Sequence, residues 1–410
     1  MEQKEKLSSK QMLNDLMADH YKSAMEAKEN GELVAWATSI APQELLTTMD
    51  ISVVYPENHA AAIGARKEAQ KFIDNSEGRG YSIDLCSYAR VNFGYAQLKY
   101  AEAENIPMPD FIYSCSNICY TVLKWYENLA KELNIPLIIF DLPFNHTYDV
   151  QPHAAKYMKG QIEEAIKRLE NITGKKFDYD KFSAVMEQSN KTSQMWKDAT
   201  LVARAKPSPL SGFDLFNYMA GIVTNRGTQA GYELFKRWKE ELEEKAAAGL
   251  GPWKPGEEEK YRVMWDGIAC WPYLGPTYKG LKNNGINMVT STYPDSWTIL
   301  YDNGDVEGMA KAYSSIYCNS NIQNGIDRIT GIVNDFDLDG IVFHSNRSCK
   351  LLDFRQFEQQ RQIEEKCGVA TVLFDGDQTD PRAFSTEQYN TRIQAFLETM
   401  ENKKEERRKG

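Results

Sequence analysis

The sequence predicts an α/β chain in which two related units, each a parallel sheet flanked by helices, are separated by a helical insert and preceded by an N-terminal helix. Three observations carry that prediction. Short apolar runs alternate with helical periodicities at both ends of the chain, the pattern that yields a parallel sheet covered on both faces. The second half repeats the first: Val34-Ala35-Trp36 is matched by Val263-Met264-Trp265, and Tyr55-Pro56-Glu57 by Tyr293-Pro294-Asp295. Between the two, strand signals fade, and Ala, Lys, Glu, Leu and Met dominate stretches such as QIEEAIKRLENITGKKF.

A first helix is expected over residues 9–30, with Ser8 or Ser9 as cap, an apolar stripe through Met12, Leu13 and Leu16, and a stop at Gly31. The buried run 33–38 reads as a strand, 42–49 as a short helix and 51–55 as the next strand, a βαβ unit. A second unit has a strand over 111–114, a helix over 119–133 and a strand over 137–140. After the insert, strands are expected over 262–268, 286–293, 340–344 and 370–374. A chain of 410 residues exceeds the size at which one core keeps growing. It divides into an N-terminal helix with a first α/β domain over 1–150, a mainly helical insert over 151–260 and a second α/β domain over 261–410. Both domains are Rossmann-like in type and face each other across a cleft, with ligands expected where strand carboxyl ends meet helix starts. The polar residues at the end of the chain, TMENKKEERRKG included, read as a fraying tail.

Composition narrows the function. Hydrophobic residues at 42% and charged residues at 26% are those of a soluble globular chain. The 48 Lys and Arg against 58 Asp and Glu leave a charge of -10, which repels phosphate backbones and anionic lipid, so neither nucleic acid nor a membrane is the expected partner. No apolar run is long enough to span a bilayer, and MEQKEKLSSKQ lacks the apolar centre of a secretory signal, so a cytoplasmic chain is expected. Seven cysteines, an odd number, do not read as a disulfide framework in that compartment, which leaves metal binding or plain burial.

The repeat places some of those cysteines. DFIYSCSNIC, ending at Cys119, matches DGIVFHSNRSC, ending at Cys349, and YSIDLC, ending at Cys86, weakly matches YSSIYC, ending at Cys318. Cys119 and Cys349 would each follow a strand and begin a helix, where free backbone N–H groups and the helix dipole favour a thiolate or an anionic metal–sulfur cluster. Cys86 stands at a loop-to-helix junction and could join them. Thiolates from separate places suit an iron–sulfur cluster better than a zinc knuckle, which draws on paired CxxC elements. By spacing alone, ordinary buried cysteines remain the commoner explanation.

Read together, WATSIAPQELL, VVYPENHAA, GYSIDLCSYARVNFG, PDFIYSCSNICYTVLKWYENLA, SPLSGFDLFNYMA, FHSNRSCKL and FDGDQTDPRAFS resemble the α subunits of the 2-hydroxyacyl-CoA dehydratases, a family that also takes in benzoyl-CoA reductase subunits. The resemblance runs over nearly the whole chain. It implies one [4Fe-4S] cluster held by Cys86, Cys119 and Cys349, whose fourth iron carries water, hydroxide or substrate oxygen. It implies elimination of water from an (R)-2-hydroxyacyl-CoA to give the (E)-2-enoyl-CoA through a ketyl radical, with one electron recycled over many turnovers. The implied partners are a homologous β subunit with a second [4Fe-4S] cluster and a separate ATP-hydrolysing iron–sulfur activator. GELVAWATSIAP, DLPFNHT and SPLSGFDLFNYMA are most similar to the lactoyl-CoA branch, with the branched-chain and aryl branches close behind. A benzoyl-CoA-reductase-like subunit and a non-catalytic electron-transfer subunit remain the alternatives.

By local motif the resemblance assigns catalytic roles to Ser39 in WATSIAP and Glu57 in YPENHAA, a hydroxyl for the thioester or iron-bound oxygen and a carboxylate for proton exchange. The bland readings are a helix cap and a solvated carboxylate. His59 and His344 are expected beside the site rather than in it. Cys318 reads as structural, Cys115 as buried packing, and Cys270 and Cys367 have no convincing partners. No GxxxxGK[ST] loop is present, which fits ATP hydrolysis by another protein, and no GxGxxG follows a strand. Asp375-Gly376-Asp377 reads as a tight loop after the last strand rather than a cation site.

Overall fold

The computed structural model describes residues 7–409, with side chains through residue 406. Eight strands form two four-stranded parallel sheets: β1 (Val34–Ala37), β2 (Ser52–Val54), β3 (Phe111–Cys115) and β4 (Leu137–Phe140) in the order β2-β1-β3-β4, and β5 (Tyr261–Asp266), β6 (Ile286–Ser291), β7 (Gly340–Asn346) and β8 (Ala370–Gly376) in the order β6-β5-β7-β8. The two orders are the same, so the repeat read in the sequence is a repeat of topology. The registers Trp36↔Ile112 and Trp265↔Val342 put the matched tryptophans on the central strands of the two sheets. Strands β1, β3 and β7 are buried along their whole length, as expected of parallel strands covered on both faces by helices.

The first helix, Ser9–Glu29, is capped by Ser8, whose hydroxyl accepts from Gln11 N at 3.2 Å. It turns out of the helix through Gly31 at φ +78°, a left-handed conformation that glycine adopts without steric cost. Four longer helices, Pro152–Thr173, Tyr179–Leu201, Gly212–Asn225 and Gln229–Ala247, follow β4 before the second sheet begins. The chain end departs from the fraying tail expected above. Thr386–Lys409 is one helix in which Met400 is buried and Lys403 and Lys404 donate to the carbonyls of Val369 and Lys260, at the entries to β8 and β5. A run of charges hid an apolar contact and two lysines long enough to reach backbone carbonyls.

The halves are joined by buried polar contacts. Glu44, after β1, accepts from Ser189 at 2.6 Å, from Tyr301 at 2.8 Å and from Tyr313 at 2.7 Å, and lies 3.9 Å from the Arg226 guanidinium. These residues come from a helix of the first half, the helical segment, and a loop and a helix of the second half, so one buried carboxylate ties all three together. Breaking such a pair leaves a charge without compensation, at a cost of about 3–5 kcal/mol. Asn117 adds donors to Ile40 O and Tyr313 O, and Arg90 reaches Asp380 at 2.9 Å.

Candidate active site

One buried cavity of about 80 Å³ lies where the carboxyl ends of both sheets meet, lined by Ser39, Glu57, Cys86, Cys119, Cys318, Cys349 and Gln378 among apolar neighbours such as Ile118, Trp125 and Trp297. A far larger concavity, about 750 Å³, opens near the start of β5 around Lys206, Trp253, Glu259 and Lys404. Its charges neutralise one another, as in the Arg262–Glu259 pair at 2.6 Å and the Lys404–Asp339 pair at 3.4 Å, and it holds no cysteine or histidine. The small cavity is therefore the candidate site, on chemistry rather than size.

Three cysteines enter it in the same way. Cys86, Cys119 and Cys349 are the N-caps of the helices Ser87–Leu98, Tyr120–Leu133 and Lys350–Cys367. The first of these helices is seated by Gly94, since a Cβ there would come within 2.2 Å of Phe72 O. Cys119 Sγ accepts from Val122 N at 3.3 Å, and Cys86 Sγ from Gln378 Nε2 at 2.9 Å. Helix-start amides pull these thiols toward the thiolate, yet burial and nearby negative charge win: Cys86 is pushed up to about 12, and Cys119 and Cys349 also rise, burial first in each case, then neighbouring cysteines for Cys86 and Cys349 and Glu57 for Cys119. The lowering expected from the helix starts is present but outweighed, so deprotonation here requires a bound cation to replace the protons.

Among the described residues no three His, Cys, Asp or Glu side chains converge as the ligands of one metal ion do. A four-iron cluster holds its cysteines apart by its own width, and a buried space with thiols on separate helix starts and apolar walls is the donor set it takes. The residues fit that group. Cys318 also faces the cavity but sits inside a single 3₁₀ turn, Tyr317–Asn319, with no helix start behind it, and burial pushes it up to about 12.

Ser39 occupies the turn after β1. Its N–H donates to Glu57 Oε1 at 3.1 Å, and its carbonyl accepts from Trp297 Nε1 at 3.2 Å, a contact from the other half. Glu57 lies in the first turn of the helix Pro56–Ala65, and its Oε2 accepts from the buried Tyr126 hydroxyl at 2.7 Å. Burial raises Glu57 to about 7, against the lowering effect of the Tyr126 and Ser39 hydrogen bonds. A carboxyl that titrates near neutrality can both give and take a proton.

The remaining candidates lie outside the cavity. His59 faces Glu104 O at 3.0 Å and the Tyr95 ring, and burial lowers it to about 4. His344 contacts Ile268 O at 2.5 Å and stacks on Phe374, and burial lowers it too. Both are neutral packing groups. Cys115 is buried on β3, Cys270 Sγ lies 3.3 Å from Asp377 O, and Cys367 Sγ is 3.8 Å from Thr330 Oγ1. Sequence reasoning missed Tyr126 and Trp297, and read Asp375-Gly376-Asp377 only as a tight loop, whereas Asp375 and Gly376 still belong to β8 and the loop begins at Asp377. There Asp377 accepts from Ser348 at 2.5 Å, and Ser348 Oγ in turn accepts from Ser87 N at 3.1 Å, so one loop ties the residues beside Cys349 and Cys86 together. The sequence signals for that loop were its turn residues and its presence in FDGDQTDPRAFS; neither pointed to its contacts with Ser348 and Ser87.

Comparison with known proteins identifies the family. The family described as 2-hydroxyglutaryl-CoA dehydratase, D-component, matches residues 38–400. The chain is 46% identical to the (R)-2-hydroxyisocaproyl-CoA dehydratase alpha subunit of Clostridioides difficile, with 98% of each chain covered. It is 45% identical to the (R)-phenyllactyl-CoA dehydratase alpha subunit of Clostridium sporogenes, again over 98% of each. The lactoyl-CoA dehydratase alpha chain of Anaerotignum propionicum is 44% identical, over 96% of this chain and 97% of that one. A benzoyl-CoA reductase component from Thauera aromatica is more distant, at 26% over 97% of this chain and 96% of its own. The chain belongs to the 2-hydroxyacyl-CoA dehydratase family, among its alpha subunits.

Proposed function

We propose that the protein is the catalytic alpha subunit of an oxygen-sensitive (R)-2-hydroxyacyl-CoA dehydratase, a hydro-lyase that forms the (E)-2-enoyl-CoA. The observation that carries this reading is the convergence of Ser39, Glu57, Cys86, Cys119 and Cys349 on one buried cavity. Cys86, Cys119 and Cys349 would hold a [4Fe-4S] cluster. When bound, that cluster supplies one electron and an open iron site as Lewis acid, the chemistry that takes a thioester through a ketyl radical and makes a β-proton acidic enough to remove.

The chain's own residues do the rest. The Ser39 hydroxyl donates to the oxygen that gains negative charge, on a turn clamped by Glu57 and Trp297. Glu57 gives its proton to the hydroxide leaving C2 and takes one from C3, so it ends as it began and the net loss is one water. Tyr126 holds the carboxyl in place for both transfers. The apolar walls keep bulk water out, which strengthens each of these interactions.

The expected partners are a related beta subunit with its own [4Fe-4S] cluster and a separate ATP-hydrolysing iron–sulfur activator; the relatives' names as alpha subunits support the first. No helix among the described residues is long and apolar enough to cross a membrane. A cytoplasmic location belongs to the same proposal. Lactoyl-CoA is the leading substrate on the motifs, since identities of 44–46% to three relatives of different specificity do not separate the branches. The test is anaerobic turnover, with the partner subunit and a trace of low-potential reductant, of lactoyl-, 2-hydroxyisocaproyl- and phenyllactyl-CoA. Enoyl product in large excess over electrons supplied is expected, fastest from lactoyl-CoA. Faster turnover of either longer thioester removes the lactoyl assignment. One electron pair consumed per product would make the protein a reductase, and a loaded protein that turns over no thioester would make it an electron carrier.

A further inference from the structure

We infer that Gln378, held in place by Asn346, is a positioning residue whose side-chain amide donates to the Cys86 sulfur and thereby sets how readily the site accepts an electron. The inference rests on the reading of Cys86, Cys119 and Cys349 as cluster ligands. Cys119 and Cys349 draw their donors from their own helix starts, Val122 N with the Thr121 side chain and Leu352 N. Cys86 receives in addition an amide from the opposite half of the molecule, Gln378 Nε2 at 2.9 Å, 292 residues away in sequence.

That amide is held in one orientation. Gln378 is fully buried, its backbone carbonyl accepts from Trp271 N at 3.2 Å, and its Oε1 accepts from Asn346 Nδ2 at 2.6 Å. With the oxygen so occupied, the NH₂ faces sulfur. The arrangement has a cost, because Asn346 is also fully buried and its Oδ1 has no hydrogen-bond partner. Turning the Asn346 amide over would set oxygen against oxygen, or force Gln378 to turn its own oxygen onto a thiolate. A buried acceptor left unsatisfied is rare and calls for a reason; here it keeps the donor on Cys86. Asn346 closes the loop, since its backbone carbonyl accepts from Cys349 N at 2.8 Å. One residue at the end of β7 thus sets the position of two ligands. A donor to a ligand sulfur stabilises the more negative, reduced state, so its removal makes reduction harder.

The experiment compares wild type, Gln378→Met and Asn346→Ser in the anaerobically assembled complex, by iron and sulfide content and by an EPR-monitored reductive titration. Gln378→Met should keep its cluster and titrate at a more negative potential, and Asn346→Ser should shift the same way by less. In addition, wild-type protein labelled with ¹⁵N at glutamine side chains should show one nitrogen coupled to the reduced cluster. A loaded Gln378→Met protein with the wild-type potential overturns the inference, and so does a wild-type cluster with no coupled glutamine nitrogen, whether or not the variant loads. A wild-type complex without iron in this subunit would instead sink the ligand reading beneath it.

Discussion

The two halves share a strand order and matched motifs, yet equivalent positions have taken different jobs. Glu57 and Asp295 both follow a Tyr-Pro pair at the start of a helix after the second strand of their sheet. Glu57 is buried against the neutral Tyr126 and Ser39, and burial raises it to about 7. Asp295 instead takes Arg328 Nε at 3.0 Å and is 38% exposed. The same local sequence therefore yields a buried carboxyl raised toward neutrality in one half and an ion pair in the other. The difference lies in what the tertiary structure packs against each carboxylate. Cys119 and Cys349 remain alike as helix caps, whereas Cys86 caps a helix of 12 residues and its counterpart Cys318 lies inside a single turn.

The sharpest way to break the comparison is at the cysteines. Cys86→Ala, Cys119→Ala and Cys349→Ala should each abolish iron binding by this subunit and all dehydration, while Cys318→Ala keeps both; iron and sulfide analysis reads the outcome. Loss of iron from the Cys318 variant as well would make the halves symmetric and end the open-site reading.

The carboxylates come next. Glu57→Gln should lower kcat by roughly 10²–10⁴-fold, the range for removal of a general acid–base. Asp295→Asn should change it far less, with iron content unaltered in both. Equal losses would mean that the two positions have not diverged.

A third contrast is in stability. The folded-state value of Glu57 lies above the 4.5 of an unperturbed side chain, so the folded protein binds this proton more tightly than the unfolded one. The carboxyl therefore costs nothing below pH 4.5, and a penalty builds as pH climbs from 4.5 to about 7, reaching about 3 kcal/mol. Buried His59, lowered to about 4, acts with the opposite sign: its contribution is intact above pH 6.5 and is lost as pH falls toward 4. Urea unfolding at several pH values should show that Glu57→Gln flattens the decline between pH 5 and 7, and that Asp295→Asn does not.

The smallest effect expected is that of Tyr126→Phe. Its hydroxyl lowers the Glu57 value, so its loss should move the Glu57 limb of the pH–rate profile upward with a modest fall in kcat. An unchanged profile would separate Tyr126 from the proton-transfer step.

The amino-acid sequence by itself determined the α/β class, the duplication and the helix starts at Cys119 and Cys349, because strand and helix periodicities and N-terminal caps are local properties of a chain. It marked Cys86 by a weak repeat match and a loop-to-helix junction, and Ser39 and Glu57 only through motifs resembling those of a family. Tertiary structure alone decided what each of those groups can do. Whether a carboxylate meets a tyrosine or an arginine, whether burial outweighs a helix start at a thiol, and which amide reaches Cys86 from 292 residues away all depend on desolvation and long-range packing. The same limit applies to the chain end, where TMENKKEERRKG reads as a solvated tail but residues 386–409 form a helix that contacts Val369 and Lys260. Local pattern specifies which elements form, and their burial against one another specifies their chemistry.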